Sequence, residues 1–600
     1  MKILNRNEVD INTTWNLKDL YNTLEDFNKD LESVVTEIDS FNKNYEGTIT
    51  TAQNAVDALN INAKLIEKIT RLSTYVSLYN SEDQSNNDAM ELSGRLGLSL
   101  GESFAKLNFL NQELALLDET ILNEIKDLDP SLNAVIDNLI RNIPHNLDPK
   151  VEDAITDLGA SLGSPYEIYN MAKLVDMKFD PINVNNKDIE LSFGYYEDEL
   201  AFSNDIETRH KAFDSFHKSL KDNSNTFASI YKSQVLKEKT MARLKNFDST
   251  IDYLLFNQEV SRDMYDRQID TIMDELAPHM RRFAKHLQDI HKLDKMTYKD
   301  LSLVVDPEYE PDISIDAAKV HLLEGLSVLG DDYLNMINRS FDERWIDFPQ
   351  NKGKSTGAFC SSPYGVHPYV LISWTHKMRE VFVLAHELGH AGHFLLAGEN
   401  QSIYNTRASL YIIEAPSTMN ELLMANHLKT TSDDPRFKRW ILSTLVSRTY
   451  YHNFVTHLLE AAFQREVYKR IDDNLPISAS ILNDIYQNVL EKFWGDDVEI
   501  SEGSNLTWMR QPHYYMGLYP YTYSAGLTVA TESSRKLLEG SLDIEQWKNL
   551  LKSGGSKTPL ELAQLVDIDL GSTEPLKNTI KHIADMIDEI IALTEELDGK

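Results

Sequence analysis

Glycine and proline are scarce in this chain, 24 and 18 among 600 residues, and that scarcity constrains the fold more than any other feature. Inside a helix each glycine costs about 1 kcal/mol and each proline about 3 kcal/mol relative to alanine. A chain that avoids both favours long helices and disfavours turn-rich all-β architectures. The apolar pattern agrees. In LKDLYNTLEDFNKDLESVVTEIDSF, residues 17–41, Leu, Tyr, Phe and Val recur at three- and four-residue steps, the spacing of one helix face.

Successive amphipathic helices are expected from Thr14 to about Asp180. The polar stretch MKFDPINVNNKDIELSFG, residues 177–194, interrupts them and reads as a loop or boundary. We therefore divide the chain into an N-terminal helical lobe, residues 1–185, and a second helical region, residues 186–600. Helical patterning resumes at DIETRHKAFDSFHKSL and runs through LAPHMRRFAKHLQDIHKL. His210, His217, His279, His286 and His291 lie in that region, none with a partner at ligand spacing together with a nearby glutamate, and read as packing or surface residues. LSLVVDPEYEPDISI reads as a loop with a short strand. KNTIKHIADMIDEIIALTEEL reads as a closing amphipathic helix.

The formal net charge of −35 repels phosphate, so no nucleic-acid partner and no anionic membrane surface is expected. Apolar residues, 42% of the chain, suffice for a large core. Cys360 is the one cysteine, which excludes an intramolecular disulfide framework. The opening MKILNRNEVDINTTW has no long apolar run, so no signal peptide is expected. No segment approaches the roughly twenty apolar residues of a membrane span. The expected compartment is the cytoplasm.

Between Lys352 and Trp374 the texture changes. GAFCSSPYGVHPYVLISW holds small residues, two prolines and the strand-forming run YVLISW, the clearest β candidate in the chain. Pro363 and Pro368 confine it to a sheet edge or a strand start. With Gly357 and Ala358 leaving the backbone unshielded, an edge strand there can pair with an extended peptide, or it is an ordinary hairpin. Thr375 is the expected N-cap of the helix that follows and Gly398 its expected stop.

That helix carries HELGHAGH, residues 386–393. His386 and His390 are four apart and project from one face. Two neutral imidazoles can hold zinc, while the adjacent Glu387 can act on a water that the metal activates. Suggestive alone, the motif becomes convincing with a third ligand. His393 is a poor choice, because three ligands from one continuous helix struggle to converge tetrahedrally; a supporting or cleft-lining role suits it better. Glu414, 24 residues after His390 in YIIEAPSTMNELL, is the better choice if the chain turns back. Its alternative is a helix-start carboxylate ahead of Pro416. Glu421, seven residues after Glu414 and on its side of a helix, can orient a ligand histidine through its free ring nitrogen, or simply be solvated.

HELGHAGH followed by IIEAPSTMNELL resembles the thimet oligopeptidase and oligoendopeptidase F family of zinc metallopeptidases. GAFCSSPYGVHPYVLISW is similar to that family's segment before the motif helix, RQPHYYMGLYPYTYSAG to its C-terminal His/Tyr segment, and TWNLKDLY to the start of the oligoendopeptidase F branch. The resemblance implies a mainly α, two-lobed helical metallopeptidase with a small β-sheet beside the active-site helix and a deep internal substrate channel. It implies one Zn2+ per chain held by His386, His390 and Glu414, with Glu387 as general base and oligopeptides as substrates. One departure is Cys360, where a small hydroxyl residue is expected.

A peptidase of this kind needs a donor for the oxyanion besides the metal. The resemblance favours His513 with one or two of Tyr519, Tyr521 and Tyr523, and Tyr521 and Tyr523 are the pair taken here. An extended segment would point all three tyrosines one way. A helix opened by Pro520 would leave only Tyr519 and Tyr523 close together. The rival readings are a dipeptidyl carboxypeptidase, which needs a cation such as Arg510 for the substrate's C-terminus, and a peptide-binding protein with a vestigial site. The residues of the motif are all present, against the last.

Overall fold

Side chains cap helix after helix. Thr23, Thr51, Asp205, Ser249, Ser261 and Ser478 each accept a hydrogen bond from the backbone N–H three residues on, which satisfies a donor the helix itself leaves free. In the computed structural model, which describes residues 3–599, helices make up most of the body, and the longest runs Ile206–Leu244. The three- and four-residue steps expected at the N-terminus are realised in the helix Leu24–Tyr45, which buries Phe27, Leu31, Val34, Ile38 and Phe41. No helix among the described residues is long and apolar enough to cross a membrane.

The β content is small. β1 (Ile182–Val184) and β2 (Lys187–Ile189) form an antiparallel hairpin, with Asn185 and Asn186 at positive φ in its two-residue turn. Residues 177–194, read as a loop or boundary, thus hold a hairpin, because two asparagines tolerate the left-handed conformation such a turn needs. The second sheet has β3 (Ile346–Asp347), β4 (Phe359–Ser361) and β5 (Tyr369–Leu371) in the order β3-β5-β4. β5 is central, parallel to β3 and antiparallel to β4, and Pro368 stands immediately before it. The strand drawn from YVLISW is only three residues long. The strand expected in LSLVVDPEYEPDISI does not form; Asp312 makes only a single bridge, to Lys377.

β5 stitches two cores together. One spans Trp15 to Ile136 in the N-terminal helices and takes in Tyr369 and Leu371. The other, from Tyr169 to Ile590, takes in Val370 and Ile372. Alternate strand residues face opposite sides, so one short strand serves both. The β4 edge also packs against the helix Arg379–Asn400, which bears the HELGH motif.

Candidate active site

The motif helix begins later and ends later than its sequence suggested. It spans Arg379–Asn400, with Met378 rather than Thr375 at the cap position; the Thr375 hydroxyl instead donates to Glu380, 2.8 Å away. Gly398 does not stop it, since its backbone stays helical and the chain leaves the helix at Gln401. A second helix, Ala415–Thr431, starts directly after Glu414, with Pro416 in its first turn. The Ser417 hydroxyl lies 3.0 Å from Glu414 Oε2 and the Thr418 hydroxyl donates to the Glu414 carbonyl at 2.6 Å, so the first turn holds the carboxylate in place. Every residue from Ala415 to Ala425 is buried, which explains why this helix shows little amphipathic pattern.

Gly389 lets the two helices meet backbone to backbone. A side chain there would begin 2.4 Å from the Pro416 carbonyl oxygen and 2.6 Å from Ser417 Cα. Asn420 ties the same seam, donating to the Ala385 carbonyl at 3.1 Å and to the Tyr333 hydroxyl at 3.0 Å. The helix Pro520–Leu538 closes on Glu414 from another side: the position of a side chain on Gly526 is 2.9 Å from Glu414 Cβ.

Where these helices meet, His386, His390 and Glu414 turn three donors toward one point, all within 4.8 Å of one another. Glu414 Oε2 lies 3.4 Å from His386 Nε2 and 3.3 Å from His390 Nε2. Both separations exceed an ordinary charge-assisted hydrogen bond of roughly 2.7–2.9 Å. They match the edge of a tetrahedron whose metal–donor bonds are about 2.0–2.1 Å, which works out at about 3.3–3.4 Å. The trio therefore has the chemistry and the spacing of a zinc-type site. On the far side of His386, Nδ1 donates to Glu421 Oε1 at 2.6 Å, and Glu421 Oε2 accepts from the Thr449 hydroxyl at 2.6 Å. This arrangement fixes the tautomer that leaves Nε2 free to bind. Burial pushes the Glu414 carboxyl up, but the two histidines outweigh it and hold it well below the usual carboxylate range.

Glu387 is buried next to this trio, and burial raises its pKa against the pull of His386 and His390. Cys360, on β4, lies close enough to feel that charge; burial, with Glu387 adding to it, pushes its thiol well above the usual range. His393 is fully buried, neither ring nitrogen has a hydrogen-bond partner, and burial lowers its pKa to about 3. It neither joins the trio nor lines a cleft, and its ring stacks on Phe394. Phe394 also stacks on His390 and forms part of a cleft of about 500 Å³ shared with Ile66, Thr70, Tyr364, Gly365 and Arg407.

Pro520 does open a helix, and this decides among the tyrosines. Tyr519 and Tyr523 lie 5.3 Å apart ring to ring, and both stand by His513: Tyr519 stacks on it at 5.4 Å, and the Tyr523 hydroxyl is 3.4 Å from its Nε2. Burial, and then the charge of Glu414, raises the pKa of Tyr519; Glu414 acts on Tyr523 in the same direction. Tyr521 is not brought to the site. One residue past Pro520 it points the other way, fully buried against Tyr265 and Tyr411, with its hydroxyl on Gln258.

Behind His513 lies a polar core that sequence reasoning missed. Glu460 is 1% exposed; its Oε2 accepts from His457 Nδ1 at 2.8 Å and lies 4.0 Å from His513 Nδ1. Burial pushes this carboxyl up, yet His457 and His513 bring it down to about 2. His457 Nε2 meets His452 Nε2 at 3.0 Å, and the His457 ring stacks on Tyr523 at 4.1 Å. The available signal was a histidine and a glutamate three apart in the apolar run HLLEAAF. Thr449 and His452 gave none, because they sit in a π-helical stretch, Leu445–Thr456, that shifts the face a regular helix would present. Arg510 is already engaged, 2.8 Å from Glu197 and over the rings of Tyr196 and Phe216.

Known proteins carry the same framework. A sequence profile of peptidase family M3 matches residues 200–582, and one of oligopeptidase F matches residues 113–179. Oligopeptidase PepF of Bacillus subtilis is 26% identical over 590 residues, covering 98% of this chain and 88% of its own. An oligoendopeptidase F homolog of Borreliella burgdorferi is 26% identical over 596 residues, covering 98% and 99%. The crystal structure of oligoendopeptidase-F from Enterococcus faecium superposes with a TM-score of 0.75 at 20% identity, over 95% of this chain and 99% of the other. With a family profile spanning well over half its length and the helical fold to match, this chain belongs to peptidase family M3.

Proposed function

We propose that this metallopeptidase is a zinc-dependent endopeptidase of short oligopeptides, with His386, His390 and Glu414 as the metal ligands and Glu387 as the general base. One observation carries the reading: the donor atoms of two histidines and a glutamate stand at 3.3–3.4 Å, a metal-ligand edge and not a hydrogen bond, with a buried carboxylate beside them. Zinc held there would supply Lewis acidity and a nucleophilic water near neutral pH.

The chain's own groups do the rest. Glu387, buried beside the ligand trio, takes the proton of the attacking water and hands it to the departing amine. His513 with Tyr519 and Tyr523 donates to the oxyanion of the tetrahedral intermediate, at the face toward Glu414. His386 and its partner Glu421 keep the first ligand oriented. Peptide approaches along the cleft lined by Phe394, whose ring stacks on His390, and β4, an edge strand packed on the motif helix, is the strand that can pair with an extended backbone.

The endopeptidase reading is favoured over a dipeptidyl carboxypeptidase because Arg510 is committed to Glu197. The deciding experiment is mass spectrometry of the products from one peptide series with free and blocked C-termini. Internal cleavage of blocked peptides, lost on chelation, is expected. Dipeptides released only from free C-termini would overturn the endopeptidase assignment. Glu387→Gln should keep its zinc and lose turnover by about 10³-fold or more; unchanged turnover would remove Glu387 as the base.

A further inference from the structure

A second trio of the same composition stands at the other end of the helix that Glu414 opens. His321 and Glu324, three apart on one face of the helix Ile315–Gly325, meet His427 of the helix Ala415–Thr431. His427 lies thirteen residues from Glu414, about 20 Å along a helix, so this is a separate location. The helices touch directly, with Met424 and His427 packed on Gly325.

Three observations separate this trio from a chance contact. One donor atom from each residue lies within 4.8 Å of the others. Glu324 Oε2 and His427 Nε2 stand 3.4 Å apart with no hydrogen bond between them, the same edge as in the catalytic trio. His321 Nδ1 and His427 Nε2 are shielded from solvent yet have no hydrogen-bond partner, a costly arrangement unless something else satisfies them. The remaining histidine–glutamate cluster makes the contrast. There His457 is satisfied by Glu460 at 2.8 Å and by His452 at 3.0 Å, and it is His513 Nδ1, 4.0 Å from Glu460, that is left without a partner.

We propose that His321, Glu324 and His427 form a second metal site, for a divalent transition-metal ion of the zinc class that imidazole and carboxylate favour together. The ion clamps the helix Ile315–Gly325 to the helix on which Glu414 is seated. Glu324 is half exposed, so coordination is completed by water and the site exchanges its ion more readily than the catalytic one.

The test is zinc stoichiometry on tag-free holoenzyme, equilibrated against buffered free Zn2+ across a range of concentrations and assayed by elemental analysis. Wild type is expected to bind a second zinc per chain at higher free zinc, with a rise in Tm across the same range. His321→Ala/His427→Ala should stop at one zinc and show no such rise, while retaining peptidase activity. Glu324→Gln, at an exposed position where folding is not in question, should weaken the second binding step by about tenfold or more and leave the first unchanged. His386→Ala/His390→Ala should lose the tight ion and keep the weaker one, which separates this proposal from the catalytic assignment. Wild type saturating at one zinc, or a second step unaltered in both the double variant and Glu324→Gln, would overturn it.

Discussion

Adding one methyl group to Gly389 tests whether the contact between two helix backbones sets the proposed metal site. In Gly389→Ala the new carbon would begin 2.4 Å from the Pro416 carbonyl oxygen and 2.6 Å from Ser417 Cα. Non-bonded carbons rest at about 3.5 Å, so the helices must part by about 1 Å at the seam. Neither obstacle is a flexible side-chain end; both are backbone, and they belong to the first turn that carries Glu414. Metal–donor distances tolerate only about 0.2 Å, so a 1 Å shift takes Glu414 out of reach of the point it shares with His386 and His390. A misplacement of that size costs on the order of 100-fold in kcat/KM, about 2.7 kcal/mol. Overpacking adds about 1–3 kcal/mol of lost stability. The assay pairs zinc content after dialysis against buffered zinc with kcat/KM on a quenched peptide and Tm. Gly94→Ala is the control: its position in the helix Asn87–Ala105 is open, with nothing within 4 Å, so it should keep wild-type kcat/KM and gain about 0.5–1 kcal/mol. A fully zinc-loaded Gly389→Ala enzyme with wild-type kcat/KM would refute the reasoning.

Further outcomes follow from the same geometry. Tyr523→Phe should lower kcat by at least tenfold with zinc content unchanged. Tyr521→Phe should leave kcat alone and cost about 1–3 kcal/mol in stability by stranding Gln258, so equal effects on kcat would break the assignment. Glu460→Gln removes the buried charge behind His513 and His457 and should shift the pH profile of kcat while leaving bound zinc intact; a profile identical to wild type counts against a positioning role. Glu238 supplies a stability test away from the site. Burial pushes its carboxyl from 4.5 up to about 7, despite hydrogen bonds from Tyr468 and Gln234. A folded pKa raised in this way contributes stability that is fully present below pH 4.5 and lost as pH rises through 7, about 3 kcal/mol in all. Glu238→Gln has no such loss, so its Tm relative to wild type should climb between pH 5 and pH 8, and a constant difference would contradict it.

The helical body was readable because its signals are local. Periodicity at 27, 31, 34, 38 and 41 needs only neighbours along one helix, and caps such as Thr23 act within one turn. His386, Glu387 and His390 were equally accessible, since helical spacing alone puts them on one face. Local rules failed where a residue type fits more than one backbone conformation. Gly398 looked like a stop, but its backbone stays helical and the helix runs on to Asn400. Tyr521 was drawn into the site by an alternation that holds only in an extended chain, and the helix beginning at Pro520 turned it toward Gln258 instead.

Sequence therefore settled the helix class and the motif, both of which follow from spacing within one segment. Tertiary structure decided how the site is assembled. Glu414 meets the histidines because Gly389 admits a neighbouring backbone, and Glu421 reaches His386 across 35 positions in the chain. Glu460 comes behind His513 from a helix packed 53 residues away. Separations of that kind depend on how whole helices pack, and packing is a property of many distant side chains at once, which no local pattern records.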